Sequence, residues 1–188
     1  MPSNIEIKAG ISHLPKVAAL VATMSDKPPK TLRQRDTFFG CSTGRLKLRE
    51  LETGEGELIF YDRADVMGAK QSHYEIARVA DAVTLKSVLQ QALGETVVVE
   101  KTRVLYLVGQ TRVHLDTVNG LGTFLELEVV LRPDQSPTEG HEIAADLMSR
   151  LGIRESDLLA EAYADMLKEP AAEIEATPSP PPVPPTFS

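Results

Sequence analysis

The stretch "TFLELEVVL", residues 123–131, decides the fold. Its side chains alternate strictly. In an extended chain Leu125, Leu127, Val129 and Leu131 fall on one face, and Phe124, Glu126, Glu128 and Val130 on the other. Glu126 and Glu128 are therefore neighbours, flanked by apolar side chains. Two like charges side by side on one strand need a reason.

The same period of two recurs along the chain. "NIEIK", 4–8, sets Glu6 and Lys8 opposite Ile5 and Ile7. "GRLKLRE", 44–50, aligns Arg45, Lys47 and Arg49 opposite Leu46 and Leu48. "LIFYDR", 58–63, aligns Tyr61 with Arg63. "VVVEKTRVLY", 97–106, aligns Lys101 and Arg103 with Val97 and Val99. "TRVHLD", 111–116, aligns Arg112, His114 and Asp116 opposite Val113 and Leu115. Turn-forming stretches such as "FGCSTG", "TGEG" and "VNGLG" join these segments, so the strands run mostly antiparallel. Four further segments have helical periodicity. "SHLPKVAALVATM" has Ser12 as its expected cap, and "DAVTLKSVLQQALG" opens on Asp81 and closes on Gly94. The others are "TEGHEIAADLMSRLG" and "ESDLLAEAYADMLK".

The expected fold is α+β, with about eight mostly antiparallel strands. A sheet of that size can curl into a closed or nearly closed, tunnel-like barrel. The charged face then lines the tunnel, and the aliphatic face packs outward under the helices. Residues 1–168 form that domain. Residues 169–188 are a Pro-rich tail expected to be disordered, and the spacing of Pro178 and Pro181 suits a PxxP reader.

The 188 residues carry a net charge of −7. From Asp134 onward there are 11 acidic and 3 basic residues, so the acidic excess sits in the C-terminal third. A single cysteine, Cys41, excludes an intrachain disulfide framework. No segment has the length and apolarity of a membrane span, and a cytoplasmic protein is expected. The negative charge, the absence of Trp and the 5% aromatic content argue against a nucleic-acid partner.

Arginine forks suit phosphate oxygens. Carboxylates suit hard divalent cations such as Mg2+ or Mn2+, and Glu6, Glu126, Glu128 and Asp116 are the candidates. Like charges crowded in a lumen repel one another, so an occupant is expected to supply the counter-charge. A polyphosphate carrying its metal meets both demands.

With these residues in order, the chain resembles the CYTH superfamily, the triphosphate tunnel metalloenzymes that include class IV adenylyl cyclases and thiamine triphosphatases. The resemblance covers about residues 3–165. "NIEIK" is similar to the ExExK signature of that family, with Asn4 where the signature is acidic. The resemblance implies a tunnel holding a triphosphate with Mg2+ or Mn2+. It implies metal ligation by Glu6, Glu126 and Glu128, with Asp116 as a further participant. It implies phosphate contacts from Lys8, Lys47, Arg49, Arg63, Lys101, Arg103 and Arg112, with Arg45 and His114 on the same faces. Glu126, Glu128 and Lys8 are the expected catalytic residues. Expected substrates are ATP, thiamine triphosphate or tripolyphosphate. Hydrolysis is the leading expectation; cyclisation of ATP to cyclic AMP and pyrophosphate is one alternative, and binding without turnover is another.

Overall fold

The structure, a computed structural model, describes residues 3–64, 66 and 68–168. The Pro-rich tail and its PxxP spacing lie outside these residues. Eight strands form the sheet: β1 (Ser3–Gly10), β2 (Lys30–Phe39), β3 (Arg45–Glu50), β4 (Gly56–Arg63), β5 (Lys70–Val79), β6 (Glu95–Val108), β7 (Thr111–Val118) and β8 (Gly122–Val130). Every neighbouring pair is antiparallel. The order β1-β5-β4-β3-β2-β6-β7-β8 returns to β1, which pairs with both β5 and β8, so the sheet closes on itself. Closure leaves none of the eight strands with an unpaired edge.

The alternation seen in residues 123–131 is resolved by this closure. Leu125, Leu127 and Val129 of β8 and Ile5 and Ile7 of β1 point outward and are almost wholly buried. They pack beneath Val17 and Val21 of α1 (Leu14–Ala22) and Ala144, Leu147 and Leu151 of α3 (Pro137–Leu151). Burying each such side chain contributes about 1.5–3 kcal/mol, which fixes the register of the strands they belong to. Glu6, Lys8, Glu126 and Glu128, at the intervening positions, are turned inward.

Helix α3 lies directly on β1 because residue 140 is glycine. A Cβ there would stand 2.6 Å from side-chain atoms of both Ile5 and Leu131. Ser136 and Glu139 close the first turn of α3 as a reciprocal cap, and Gly152 ends it at a φ of +68°. Helix α2 (Ala82–Leu93) is capped by Asp81, which accepts a hydrogen bond from the Thr84 backbone N–H. At α1 the expected cap is displaced by one residue: His13 occupies the position and makes no side-chain capping bond.

The last helical expectation is overturned more fully. Residues 155–168 form no continuous helix but a 3-10 turn at Glu155–Asp157, an extended passage, and the short helix α4 (Tyr163–Met166). Leu158 bridges to Ala9, and the Leu159 N–H donates to the Lys8 carbonyl at 2.9 Å. Pairing with β1 outweighs the helix propensity of the Leu- and Ala-rich sequence. The result is a segment laid across one end of the barrel. Among the described residues no helix is long and apolar enough to cross a membrane.

Candidate functional site

The barrel encloses a cavity of about 320 Å3. Seven cationic and five carboxylate side chains line it. The cations are Lys8, Lys47, Arg49, Arg63, Lys101, Arg103 and Arg112, and the carboxylates are Glu6, Asp36, Glu57, Glu126 and Glu128. His114 lines it as well. The structure thus brings together, from six strands, all but two of the residues singled out in the sequence. Arg45 does not line the cavity; it donates to Asp165 of α4 at 2.7 Å. Asp116 lies behind the lining, fully buried.

The cations of the lumen do not wait for an occupant to neutralise them. Arg103 donates from Nε and Nη2 to the two oxygens of Asp116 at 2.7 and 2.6 Å, and also hydrogen-bonds Glu126. Lys101 Nζ is 3.7 Å from Asp116, and the Tyr163 hydroxyl donates to that carboxylate at 3.1 Å. Across the barrel, Asp36 of β2 receives Lys47 at 2.8 Å and both Nε and Nη2 of Arg49 at 2.8 and 2.9 Å. Lys47 and Arg49 hold the Asp36 carboxyl well below the usual carboxylate range, against the burial that would raise it. The expectation of unrelieved repulsion is therefore corrected: buried Asp36 and Asp116 act as built-in counter-ions that hold the basic wall in place. Asp36 went unread in the sequence, although Gln34, Asp36 and Phe38 alternate on β2 as the other inward sets do. Tyr163 also went unread. Its ring lies 3.6 Å from Lys8 Nζ and 5.1 Å from Lys101 Nζ, and its centroid is 5.0 Å from that of Phe124.

The carboxylates gather on β1 and β8. Glu6 is directly paired with Glu128, and Lys8 with Glu126. Glu126 faces Arg103 and Lys8, and Glu128 accepts from Arg112 Nε at 2.7 Å. Burial alone would raise both carboxyls; for Glu126 it is outweighed chiefly by Arg103 and Lys8, and for Glu128 by His114, Arg112 and Arg103. Both sit below the usual carboxylate range. Glu6 goes the other way: burial raises it, Glu128 adds to the rise, and Arg63, 3.6 Å away, opposes it. Burial, with Arg103 nearby, pushes the His114 imidazole down to about 4. His114 is therefore neutral at pH 7, and the ionised state of Glu128 there rests on Arg112 and Arg103.

Ligand atoms of His114, Glu126 and Glu128 all lie within 4.8 Å of one another. His114 Nδ1 is buried, 3.6 Å from Glu128, and makes no hydrogen bond. A neutral imidazole nitrogen beside two ionised carboxylates is a donor set that would hold a divalent ion, so the residues present fit one. Asp116 is not one of this group; its oxygens accept from Arg103 and Tyr163 behind the lining.

One end of the cavity is closed by the segment that includes α4. Ala162 and Tyr163 line it, Lys8 Nζ donates to the Glu161 carbonyl at 3.0 Å, and Lys70 Nζ donates to the Ala160 carbonyl at 2.5 Å. Burial lowers the Lys8 ammonium from its ordinary value.

Comparison with solved structures finds the same fold in several proteins. A protein of Pyrococcus horikoshii OT3 superimposes with a TM-score of 0.78 at 22% identity, covering 86% of this chain and 98% of its own. A Vibrio parahaemolyticus protein described as a candidate adenylate cyclase gives 0.71 at 16% identity, over 88% and 98% of the two chains. A Hippeastrum protein described as a candidate adenylyl cyclase with a dominant triphosphatase activity gives 0.61 at 14% identity, over 89% and 94%. At these identities the likeness is one of fold. Comparison with curated proteins gives no match. The sequence profile of the CYTH domain matches residues 3–163, almost the whole described chain. With a closed antiparallel sheet and an ionic lumen already in view, this chain belongs to the CYTH domain family.

Proposed function

We propose that the protein is a divalent-metal-dependent enzyme that hydrolyses a triphosphate held in the tunnel. The observation that carries the reading is the joining, in one cavity, of a basic wall and the His114–Glu126–Glu128 group. Neither half suffices alone: the wall suits an anion, and the ionised Glu126 and Glu128 carboxylates suit Mg2+ or Mn2+.

His114, Glu126 and Glu128 would hold a divalent ion, which would supply positive charge against phosphate oxygens, while Arg103, Lys8 and Arg112 line the same cavity and would face the phosphates. Lys47 and Arg49, fixed by Asp36, present charge from the facing wall. Their positions are set before the substrate arrives, so they stabilise developing charge on the phosphoryl oxygens without reorganising. The family resemblance and the cyclase and triphosphatase descriptions of the structural neighbours support the reading. Hydrolysis asks only for an attacking water; cyclisation of ATP asks in addition for a ribose held over the α-phosphate.

Lys101 gives this reading a pH signature. Burial, then Arg103, pushes its ammonium down to about 7. At pH 8 the free protein holds it mostly neutral, and a bound polyanion restores its charge. Tripolyphosphate binding at pH 8 is therefore expected to take up roughly one proton, and clearly less at pH 6. Calorimetry in buffers of different ionisation enthalpy measures the uptake, and Lys101→Arg should suppress it.

The test of function is a panel of ATP, thiamine triphosphate and tripolyphosphate crossed with Mg2+ and Mn2+. Phosphate release above a chelator control is the expected result. Cyclic AMP with pyrophosphate would replace hydrolysis by cyclisation, and tight binding without any product would make the tunnel a binding module.

A further inference from the structure

Three of the buried polar atoms that lack a hydrogen-bond partner fall in one row: Asn4 Oδ1, Ser72 Oγ and Arg63 Nε. Asn4 on β1 is directly opposite Ser72 on β5, and Ser72 is directly opposite Arg63 on β4. All three side chains line the cavity, and Asn4 and Ser72 are 2% and 1% exposed. The Ser72 hydroxyl lies close enough to Glu6 to help hold that carboxyl ionised, yet forms no hydrogen bond of ordinary geometry. A buried polar atom left unpaired costs the fold stability, and native proteins keep few of them. Three in adjacent places, aimed at one cavity, point to a ligand that pairs them.

The row differs in kind from the rest of the lumen. Asn4 and Ser72 are neutral, and Arg63 already has Glu6 for its charge. Together they offer an acceptor, a hydroxyl and an N–H, which suits a neutral group carrying a donor beside an acceptor rather than a phosphate. The next inward residues on β5 and β4 are Tyr74 and Tyr61, directly opposite each other, so aromatic surface adjoins the polar row.

We infer that Asn4, Ser72 and Arg63 form a specificity subsite for the non-phosphate part of the substrate, and that this part is a planar polar ring presenting a donor next to an acceptor. The inference rests on the proposed triphosphate reading and narrows it from any triphosphate to an organic one. The aminopyrimidine edge shared by ATP and thiamine triphosphate has this chemistry; inorganic tripolyphosphate has nothing to offer it. Charge alone would favour tripolyphosphate, the more highly charged ligand, so selectivity in the other direction requires the row.

Calorimetric titration of the full chain in EDTA, with tripolyphosphate, ATP and thiamine triphosphate as separate probes, tests it. At least one organic probe is expected to bind about tenfold or more tightly than tripolyphosphate, and the two organic arms identify which ring fits. In Asn4→Leu and in Ser72→Ala that ratio should fall towards one. Asn4→Leu removes an unpaired polar atom, so its ligand-free Tm should be at least that of the parent. If Asn4→Leu does not fold, Ser72→Ala carries the binding test. Equal binding of all three probes to the parent, or a parallel loss of all three in the variants, overturns the subsite and leaves the triphosphate reading standing. A clear fall in Tm in Asn4→Leu marks a structural asparagine and also overturns it. No binding of any probe, with no phosphate released in the metal panel, removes both.

Discussion

Glu126→Gln is expected to lower metal-dependent turnover by at least about 100-fold, and Glu128→Gln to do the same, with the barrel intact. Each substitution keeps the size and the oxygen acceptor but removes a formal charge from a group that His114 completes. The amide oxygen introduced at position 126 would still accept from Arg103, and the outward Leu125, Leu127 and Val129 that hold β8 against the helices are untouched. A second readout separates ligation from general electrostatics: Mn2+ affinity, followed by its paramagnetic resonance signal, should fall with turnover. Variants that keep full turnover and full Mn2+ affinity would remove both residues from the site.

Asp116→Ala is expected to produce the largest loss of stability, about 3–5 kcal/mol. Asp116 is fully buried and receives two hydrogen bonds from Arg103 and one from Tyr163, with Lys101 at 3.7 Å. Its removal leaves the buried Arg103 guanidinium with Glu126 as its remaining carboxylate partner, and takes from Lys101 and the Tyr163 hydroxyl the carboxylate they face. For a domain of this size the Tm should drop by roughly 10 °C. The sign of the ligand effect is diagnostic. Tripolyphosphate should raise the Tm of the variant more than that of the parent, because it brings anionic charge to the cavity-lining Arg103 and Lys101 that have lost theirs. A parent-like Tm would show that Arg103 and Lys101 do not depend on Asp116.

Residues such as these differ in how far the chain announces them beforehand. The inward and outward sets of β1, β3, β7 and β8 follow from a period of two, because a strand with one buried face tolerates no slip. Closure follows from placing many charged faces where one cavity can serve them all. Asp36 escaped notice because a single carboxylate beside Phe38 carries no local sign that Lys47 and Arg49, on the next strand, will reach it. The closing segment escaped for the opposite reason. Its local sequence favours helix, while its conformation is set by backbone bonds to Lys8 and a bridge to Ala9, about 150 residues earlier in the chain. Asn4 was legible as a departure from the acidic signature, but the unpaired row it forms with Ser72 and Arg63 depends on which strands meet.

The segment around Tyr163 would also govern traffic. Ala162 and Tyr163 line that end of the cavity, and Lys8 is tied to the Glu161 carbonyl there. On the proposed triphosphate reading, a ligand entering tail-first from the other end would back out by the same door. A phosphate against Lys8 and Tyr163 would then leave last, after the part of the molecule nearer the entrance.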